Sequence, residues 1–331
     1  MELRRMVVPL DGSERATAVL PYVQVFAEAA AAQVYLLGVL DPAHPEWAGC
    51  ELGPSAGQEL YRRLSAAAED LRARGIAVEI LLRPGKPAEI ITGVADELEA
   101  DMLALATRGR GGLTRLLLGS VADGVVKRSR TAVLLVSPPD AAQDTPSLTL
   151  RRVLVPLDGS PLAEQVLPLA GNVARLLDAE LILARVESFA PVWPHGAPPD
   201  LDGGLEQLMA RAAQDYLEQV QRRLPADVVS SLVVLRGTPN GTLVAFVDRN
   251  DIGLVVMATH GRSGVQRLVL GSVADALLRS GTPTLLLPPA AARTTRTPVA
   301  VGGEAREGAA SGPATEPHAQ PPVLHSEVEG W

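Results

Sequence analysis

Short apolar runs alternate along the chain with longer segments in which apolar residues recur every three or four positions. A continuous apolar run predicts a strand buried on both faces, and the longer period predicts an amphipathic helix. In the first half of the chain, strands are predicted at residues 6–10, 34–40, 76–82 and 102–106, and a further strand ends at Val136. Strands that alternate with helices usually form a parallel sheet covered on both faces, so the pattern predicts an α/β fold.

The second half of the chain repeats the first. The string Met-Val-Val-Pro-Leu-Asp-Gly-Ser at residues 6–13 returns at 153–160 with its first two residues changed, and the segment 107–123 returns at 259–275. Two long matches in the same order indicate a duplication. The second set of strands is therefore predicted at 153–157, 180–186, 228–235 and 254–258, with a last strand that ends at Leu287.

The duplication predicts two tandem doubly wound, Rossmann-like domains, each a five-stranded parallel sheet flanked by helices. The domains are predicted at residues 1–137 and 151–289, joined by a linker at 138–150. Residues 290–331 are rich in small and polar residues without an apolar period, so they are predicted to be a disordered tail.

Composition narrows the class of protein. The formal net charge of -8 argues against a nucleic-acid-binding surface, which needs clustered positive charge. Cys50 is the only cysteine, so no intrachain disulfide is expected, and the scattered histidines lack metal-ligand spacing, so no metal site is predicted. No apolar run reaches the length of a membrane span, and the N-terminus lacks a signal-peptide pattern. We therefore expect a cytoplasmic protein that binds neither nucleic acid nor membrane.

A short polar cluster, Asp-Gly-Ser, follows the first strand of each copy, at Asp11 and again at Asp158. One interpretation is structural, because Asp and Ser side chains commonly accept hydrogen bonds from the first N–H groups of a helix. The other is functional, because the carboxylate would stand at the mouth of a ligand crevice, near a sugar hydroxyl or a phosphate-bound metal.

A second cluster follows the fourth strand. In the first copy it runs from Ala106 through Gly109 and Arg110 to Gly119 and Ser120, where a helix is predicted to begin. Glycine lets backbone N–H groups approach a ligand, and a helix N-terminus favours an anion. The serine can cap the helix or donate its hydroxyl to a phosphate, and the structural alternative for the whole segment is a glycine turn with solvated arginines. The P-loop and dinucleotide fingerprints are both absent, so neither explains the cluster.

These residues resemble those of the universal stress protein family. Its ATP-binding signature, G-x2-G-x9-G-[ST], is matched apart from the first position by Ala106-x2-Gly109-x9-Gly119-Ser120 and by Ala258-x2-Gly261-x9-Gly271-Ser272. The strings Val-Pro-Leu-Asp-Gly-Ser, Thr-His-Gly-Arg and Leu-Gly-Ser-Val-Ala-Asp are also typical of the family. The resemblance implies two ATP-binding domains whose last strands pair across a pseudo-twofold interface, so that one chain imitates a dimer.

The resemblance also implies which residues bind the nucleotide, ATP with or without Mg²⁺. The aspartate after the first strand lines the site, the valine near the end of the second strand meets adenine, and the glycines and serine hold the ribose and phosphates. The implied set in the first copy is Pro9, Asp11, Val39, Ala106, Gly109, Arg110, Gly119, Ser120 and Val121. The set in the second copy is Pro156, Asp158, Val186, Ala258, Gly261, Arg262, Gly271, Ser272 and Val273.

The alanine at the first signature position is a departure from the family pattern in both copies. If the position needs only a small residue, ATP binding persists at both sites, which carry Ala106 and Ala258 there. If it needs the positive φ that glycine adopts easily, both sites are weakened together. We expect binding to persist, because alanine is the mildest change.

Three functions are open on these grounds. The first is an ATP-binding stress-response or signalling module whose partners are adenine nucleotide and unidentified proteins, with a homodimer as a further alternative. The second is a slow ATP hydrolase or phosphotransferase, although the chain offers neither a P-loop lysine nor a clear general base. The third is a nucleotide-free interaction scaffold.

Overall fold

Each predicted apolar run contributes a strand to the structure. The computed structural model describes residues 2–41, 54–107, 118–138, 148, 150–188, 199–259 and 270–288. The strands of the first copy are β1 (Arg5–Pro9), β2 (Gln33–Leu40), β3 (Val78–Pro84), β4 (Met102–Ala106) and β5 (Ala132–Val136). Those of the second are β6 (Arg152–Pro156), β7 (Glu180–Glu187), β8 (Ser230–Arg236), β9 (Leu254–Ala258) and β10 (Thr284–Leu287).

Helices connect successive strands of each copy. The helices of the first copy are α1 (Glu14–Thr17), α2 (Leu20–Ala30), α3 (Pro54–Ala73), α4 (Pro87–Glu97) and α5 (Ser120–Arg128). Those of the second are α6 (Pro161–Glu164), α7 (Leu167–Leu177), α8 (Pro199–Gln221), α9 (Pro239–Arg249) and α10 (Ser272–Arg279). Among the described helices, none combines the length and apolar character that a bilayer crossing requires.

All the described strands join one sheet, in the order β3-β2-β1-β4-β5-β10-β9-β6-β7-β8. Neighbours are parallel within each copy, and β5 and β10 are antiparallel, with Leu134 opposite Leu285. The strand order reads the same from both ends, which is the pseudo-twofold relation that was predicted. The α/β class and the pairing of the last strands are confirmed, and this pairing leaves neither β5 nor β10 as an open edge.

Helices reinforce the junction between the two copies, which belong to one compact unit spanning Met1–Thr295. On one face of the sheet α2 packs against α7, and a single apolar core contains Phe26 of the first and Val173 of the second. On the other face Leu278 of α10 enters the apolar core under α4 and α5. The Ser137 hydroxyl, just after β5, donates a 2.8 Å hydrogen bond to the Leu278 carbonyl.

The outer edges of the sheet, β3 and β8, are protected by side chains. Arg72 donates a 2.7 Å hydrogen bond to the Val78 carbonyl of β3, and Gln221 donates one of 3.2 Å to the Ser230 carbonyl of β8. Because an open row of carbonyl groups invites another strand to pair, these bonds reduce the tendency of each edge to associate.

Some details differ from what the sequence predicts. The segment after each Asp-Gly-Ser is predicted as one helix, whereas the structure forms two, because Pro21 and Pro168 lie in the first turn of the second helix. A proline ring clashes with the carbonyl four residues earlier, so a continuous helix cannot pass. The third strands begin two residues late, because Ile76 and Val228 close turns that follow α3 and α8, through N–H bonds to Leu71 and Pro225.

On α8 the helical period predicts an apolar stripe at Leu205, Met209, Ala212, Tyr216 and Val220. Of these, Val220 is buried, Met209 and Tyr216 are partly buried, and Ala212 is exposed. The buried residues of α8 are Ala213, Leu217 and Val220, spaced like Leu60, Leu64 and Ala67 of α3. Tyr216 lies beside this stripe and is only partly buried. Arg63 and Tyr216, which each precede the matching buried leucine, therefore occupy the same position in the two copies.

Candidate functional site

A crevice opens where β1 and β4 separate at their carboxyl ends. These strands pair only at Met6–Met102 and Val7–Leu103, although β1 pairs with β2 over its whole length. The matching strands of the second copy, β6 and β9, also pair at two positions only. In the order 3-2-1-4-5 the winding reverses between β1 and β4, and doubly wound sheets bind ligands at that point.

The Asp-Gly-Ser turn lies on one side of this crevice. The Asp11 carboxylate accepts hydrogen bonds at Oδ1 from the Ser13 N–H, at 2.9 Å, and from the Ser13 hydroxyl, at 2.6 Å. The Ser13 hydroxyl oxygen in turn accepts from the Ala16 N–H at 3.2 Å and caps α1. Gly12 has a φ of 77°, a conformation that favours glycine. The serine is thus the structural cap, and its bonds fix the aspartate at the crevice.

The second copy builds the same turn. The Ser160 N–H donates to Asp158 Oδ1 at 2.9 Å, and the Ala163 N–H donates to the Ser160 hydroxyl oxygen at 3.1 Å. Gly159 has a φ of 84°. The carboxylates of Asp11 and Asp158 therefore take up equivalent, half-buried positions at the carboxyl ends of their strands.

The other side of the crevice is the start of α5. The Gly119 N–H donates a 2.7 Å hydrogen bond to the Thr107 carbonyl, directly after β4. Gly119 is the N-cap of α5, and no side chain of the described residues caps this helix. Ser120 is the first helical residue and is exposed, so it does not cap the helix. The structure excludes the capping role for Ser120, and its contact with a ligand stays a prediction.

The second copy again matches. The Gly271 N–H donates to the Thr259 carbonyl at 3.1 Å, and Gly271 caps α10 without a side-chain hydrogen bond among the described residues. A methyl group on Gly271 would approach the Thr259 carbonyl oxygen at 3.2 Å, which is a tight contact. Close approach of the two backbones is a reason for glycine here.

Two parallel helices present their N-termini at this edge. In the first copy α4 and α5 pack so closely that a Cβ on Gly124 would lie 2.7 Å from the Ala88 Cβ. In the second copy the Ser272 hydroxyl on α10 lies 3.5 Å from Asn240 Oδ1 on α9. Each helix N-terminus carries a partial positive charge, so the paired ends make the edge attractive to an anion.

The alanines that replace glycine at the first position of the signature are ordinary strand residues. Ala106 ends β4 opposite Val136, and Ala258 ends β9 opposite Leu287. Neither is among the residues with positive φ. The chain therefore accommodates alanine at this position without backbone strain. The effect of this alanine on ATP binding stays a prediction.

The described residues of the predicted set all lie at the carboxyl edge of the sheet. Val39 and Val186 are half-buried and pack against the apolar cores under α4–α5 and α9–α10 respectively. The residues brought to this edge are Pro9, Asp11, Val39, Ala106, Gly119, Ser120 and Val121, with Pro156, Asp158, Val186, Ala258, Gly271, Ser272 and Val273. Gly109, Arg110, Gly261 and Arg262 lie outside the described residues, so their predicted roles stay predictions.

Sequence analysis missed the side chains that support the two Asp-Gly-Ser turns. Arg63 of α3 donates a 3.0 Å hydrogen bond to the Gly12 carbonyl. In the second copy Tyr216 of α8 donates one of 3.1 Å to Glu164 Oε1, in the helix that follows the turn. The sequence did contain a signal for Arg185, which lies over the Tyr216 ring. Arg185 is a charged residue inside an otherwise apolar strand.

Comparison with known proteins identifies the family. The sequence profile of the Universal stress protein family matches residues 2–137 and 149–288. The universal stress protein Rv2623 of Mycobacterium tuberculosis is 25% identical over 310 residues, which cover 90% of this chain and 96% of that protein. The chain belongs to the universal stress protein family and contains two domains of it.

Other relatives match parts of the chain or its fold. Rv2005c of Mycobacterium tuberculosis is 35% identical over 183 residues, which span 55% of this chain and 59% of that relative's own length. A crystal structure of a universal stress protein from Archaeoglobus fulgidus shares the fold, with a TM-score of 0.63 at 21% identity, covering 87% of this chain and 97% of that one.

Proposed function

We propose that this chain is a nucleotide-responsive stress or signalling module that binds one adenine nucleotide, ATP, in each domain. The observation that carries the proposal is the crevice that occurs twice, with an aspartate on one side and a helix N-terminus on the other that no side chain of the described ranges caps. Backbone N–H groups at such a terminus can hold phosphate oxygens, and the Ser120 and Ser272 hydroxyls stand beside them.

The apolar floor of the crevice supports adenine as the base. Val39 and Val186 present half-buried aliphatic side chains next to the carboxyl ends of the central strands. The aromatic face of adenine loses little hydration when it packs on such a surface, whereas the phosphates keep polar partners at the helix termini. Mg²⁺ would accompany the phosphates of ATP and belongs to this proposal.

A nucleotide-free scaffold is less well supported, because the alanines that favoured it occupy strand positions open to any small residue. Slow hydrolysis of ATP stays an alternative, to be assayed once ATP binding has been measured. Our proposal keeps the predicted domains at 1–137 and 151–289, the linker at 138–150, the tail at 290–331 and the cytoplasmic location. A homodimer and unidentified protein partners also remain proposals.

Equilibrium binding of ATP with Mg²⁺ to the full chain tests the proposal, with ADP, AMP and GTP as competitors. We expect saturable binding that ADP and AMP compete for more effectively than GTP. The double variant Ser120→Asp/Ser272→Asp should weaken ATP binding by at least about a hundredfold, because each new carboxylate opposes the phosphates. It should not unfold the helices, because an acidic residue in the first turn interacts favourably with the helix dipole.

Ser120→Asn/Ser272→Asn is the matched control, because asparagine has the size of aspartate without its charge. It should retain most of the affinity. Absence of binding by the unsubstituted chain at millimolar ATP would contradict the proposed function and favour the scaffold.

A further inference from the structure

The two Asp-Gly-Ser turns are supported by different chemistry. In the first copy the Arg63 guanidinium donates to the Gly12 carbonyl at 3.0 Å, so a cation is in contact with the turn that carries Asp11. The same guanidinium donates to Glu59 Oε1 at 2.8 Å. These two bonds hold the positive charge beside the turn that forms one side of the first crevice.

Glu59 neutralises this cation only in part, because it is shared. Arg62 also donates to Glu59, at 2.9 Å through both Nε and Nη2. Hydrogen bonds from Arg62 and Arg63 lower the pKa of Glu59 to about 2, so the glutamate stays ionised at any physiological pH. Two guanidinium groups thus share one carboxylate.

In the second copy the same helix position holds a neutral phenol. Tyr216 donates to Glu164 Oε1 at 3.1 Å, and Glu164 Oε2 accepts from Arg223 at 2.5 Å. Burial and the negative charge of Glu164 raise the pKa of Tyr216, so the phenol remains protonated. The tyrosine therefore ties α6 to α8 without bringing a cation to the turn.

The arginine of strand β7, Arg185, is neutralised by a carboxylate. Arg185 pairs with Glu187 at 2.5 Å, and both side chains are less than one-fifth exposed, at 18% and 15%. Its guanidinium lies 4.8 Å from the centre of the Tyr216 ring, so the aromatic ring covers it. Arg185 and Arg223 in this part of the second copy thus each have a carboxylate partner.

We propose that Arg63 and Tyr216 make the two nucleotide sites unequal, with Arg63 giving the first site a stronger preference for polyphosphate over monophosphate nucleotides. The inference rests on the proposed function. A partly neutralised cation held at the crevice attracts three phosphates more than one, whereas the second site gains no such charge. Arg63 acts as a positioning and specificity-determining residue, since it holds the turn and sets the local potential.

The experiment compares ATP with AMP binding in the full chain with the second site blocked by Ser272→Asp. In this background Arg63→Gln should lower the ATP-to-AMP affinity ratio about fivefold, the size expected for one partly screened charge. Raising the salt concentration should reduce the ratio in the Arg63 protein more than in the Gln variant. Arg63→Lys should restore most of the ratio, because it restores the charge.

Arg74→Gln is the matched control, because it removes one positive charge from the turn that follows α3. The end of α3 is about 15 Å from Arg63 along the helix axis, at 1.5 Å per residue. It should leave the ratio unchanged. In the background blocked at the first site by Ser120→Asp, Arg63→Gln should also leave the ratio unchanged.

An unchanged ratio in the Arg63→Gln protein would overturn the inference while the proposed function stands. An equal fall in the ratio of the Arg74→Gln protein would overturn it too, because the effect would then belong to net charge rather than to the contact with Gly12. Absence of ATP binding in the unsubstituted chain would overturn both the inference and the proposed function.

Discussion

The sixth residue of the second strand shows how the two copies have diverged. In the first copy it is Gly38, closely surrounded by Leu60 and Leu82. In the second copy it is Arg185, paired with Glu187 and stacked on Tyr216. One copy fills this place with hydrocarbon, and the other fills it with a partly buried ion pair.

The neighbours have changed in the direction that makes each arrangement fit. The position of Leu82 is Val234 in the second copy, and the position of Leu60 is Ala213. Smaller side chains leave room for the arginine stem, which conserves packing density. The carboxyl edge has not changed in this way, because both copies retain the Asp-Gly-Ser turn and the Gly-Ser helix start. The edge and the layer behind it have therefore diverged independently.

Placing the arginine of the second copy into the first should have the largest effect. Gly38→Arg puts a charge among leucines, and even its Cβ would lie 2.5 Å from Leu82 Cδ2 and 2.9 Å from Leu60 Cδ2. A buried charge without a partner costs about 3–5 kcal/mol, so the free energy of unfolding in urea should fall by about this amount.

The combined variant Gly38→Arg/Leu40→Glu/Leu60→Ala/Leu82→Val supplies the carboxylate and the space found in the second copy. It should recover part of the lost stability. If it is no more stable than Gly38→Arg alone, the compensation described above is wrong.

Breaking the ion pair of the second copy should have the next largest effect. Glu187→Leu leaves Arg185 poorly compensated at 18% exposure, and we expect a loss of about 2–3 kcal/mol. The double variant Arg185→Leu/Glu187→Leu should be closer to the unsubstituted chain, because it removes both charges. Chemical denaturation of the two single leucine variants and the double variant gives the coupling energy. A coupling energy near zero would contradict the account of this pair.

The smallest expected effect is a gain in stability, when a residue of the second copy is placed into the first. Gly93 lies in the interior of α4 with nothing within 4 Å of the place where a Cβ would stand. The matching residue of α9 is Ala245. Gly93→Ala should therefore stabilise the chain by about 0.5–1 kcal/mol, because glycine is a poor helix former. A rise in the thermal midpoint would show this, and a fall would indicate an unrecognised contact at Gly93.

Periodicity and the internal repeat were sufficient to predict the fold class. Strands such as Met102–Ala106 are apolar throughout, as expected for a sheet that is covered on both faces. The pairing of β5 with β10 came from the family resemblance, because no local pattern states which strand pairs across a pseudo-twofold. The break between α1 and α2 was predictable in principle from Pro21 and was missed.

The candidate site was predictable where motifs are contiguous. Asp11 and Ser13 make their hydrogen bonds within a few residues, so sequence alone suggested both roles. The contact of Arg63 with Gly12 spans 51 residues and depends on how α3 crosses the sheet, so no local pattern could reveal it. Long-range electrostatics of this kind become visible only once the helices are packed.

The most direct test of the central claim is a calorimetric titration of the full chain with ATP and Mg²⁺. We predict two ATP molecules per chain, with stoichiometry reduced to one by Ser120→Asp alone or by Ser272→Asp alone, and abolished by both. A stoichiometry of one in the unsubstituted chain, or no heat of binding at millimolar ATP, would contradict the claim that each crevice is a nucleotide site.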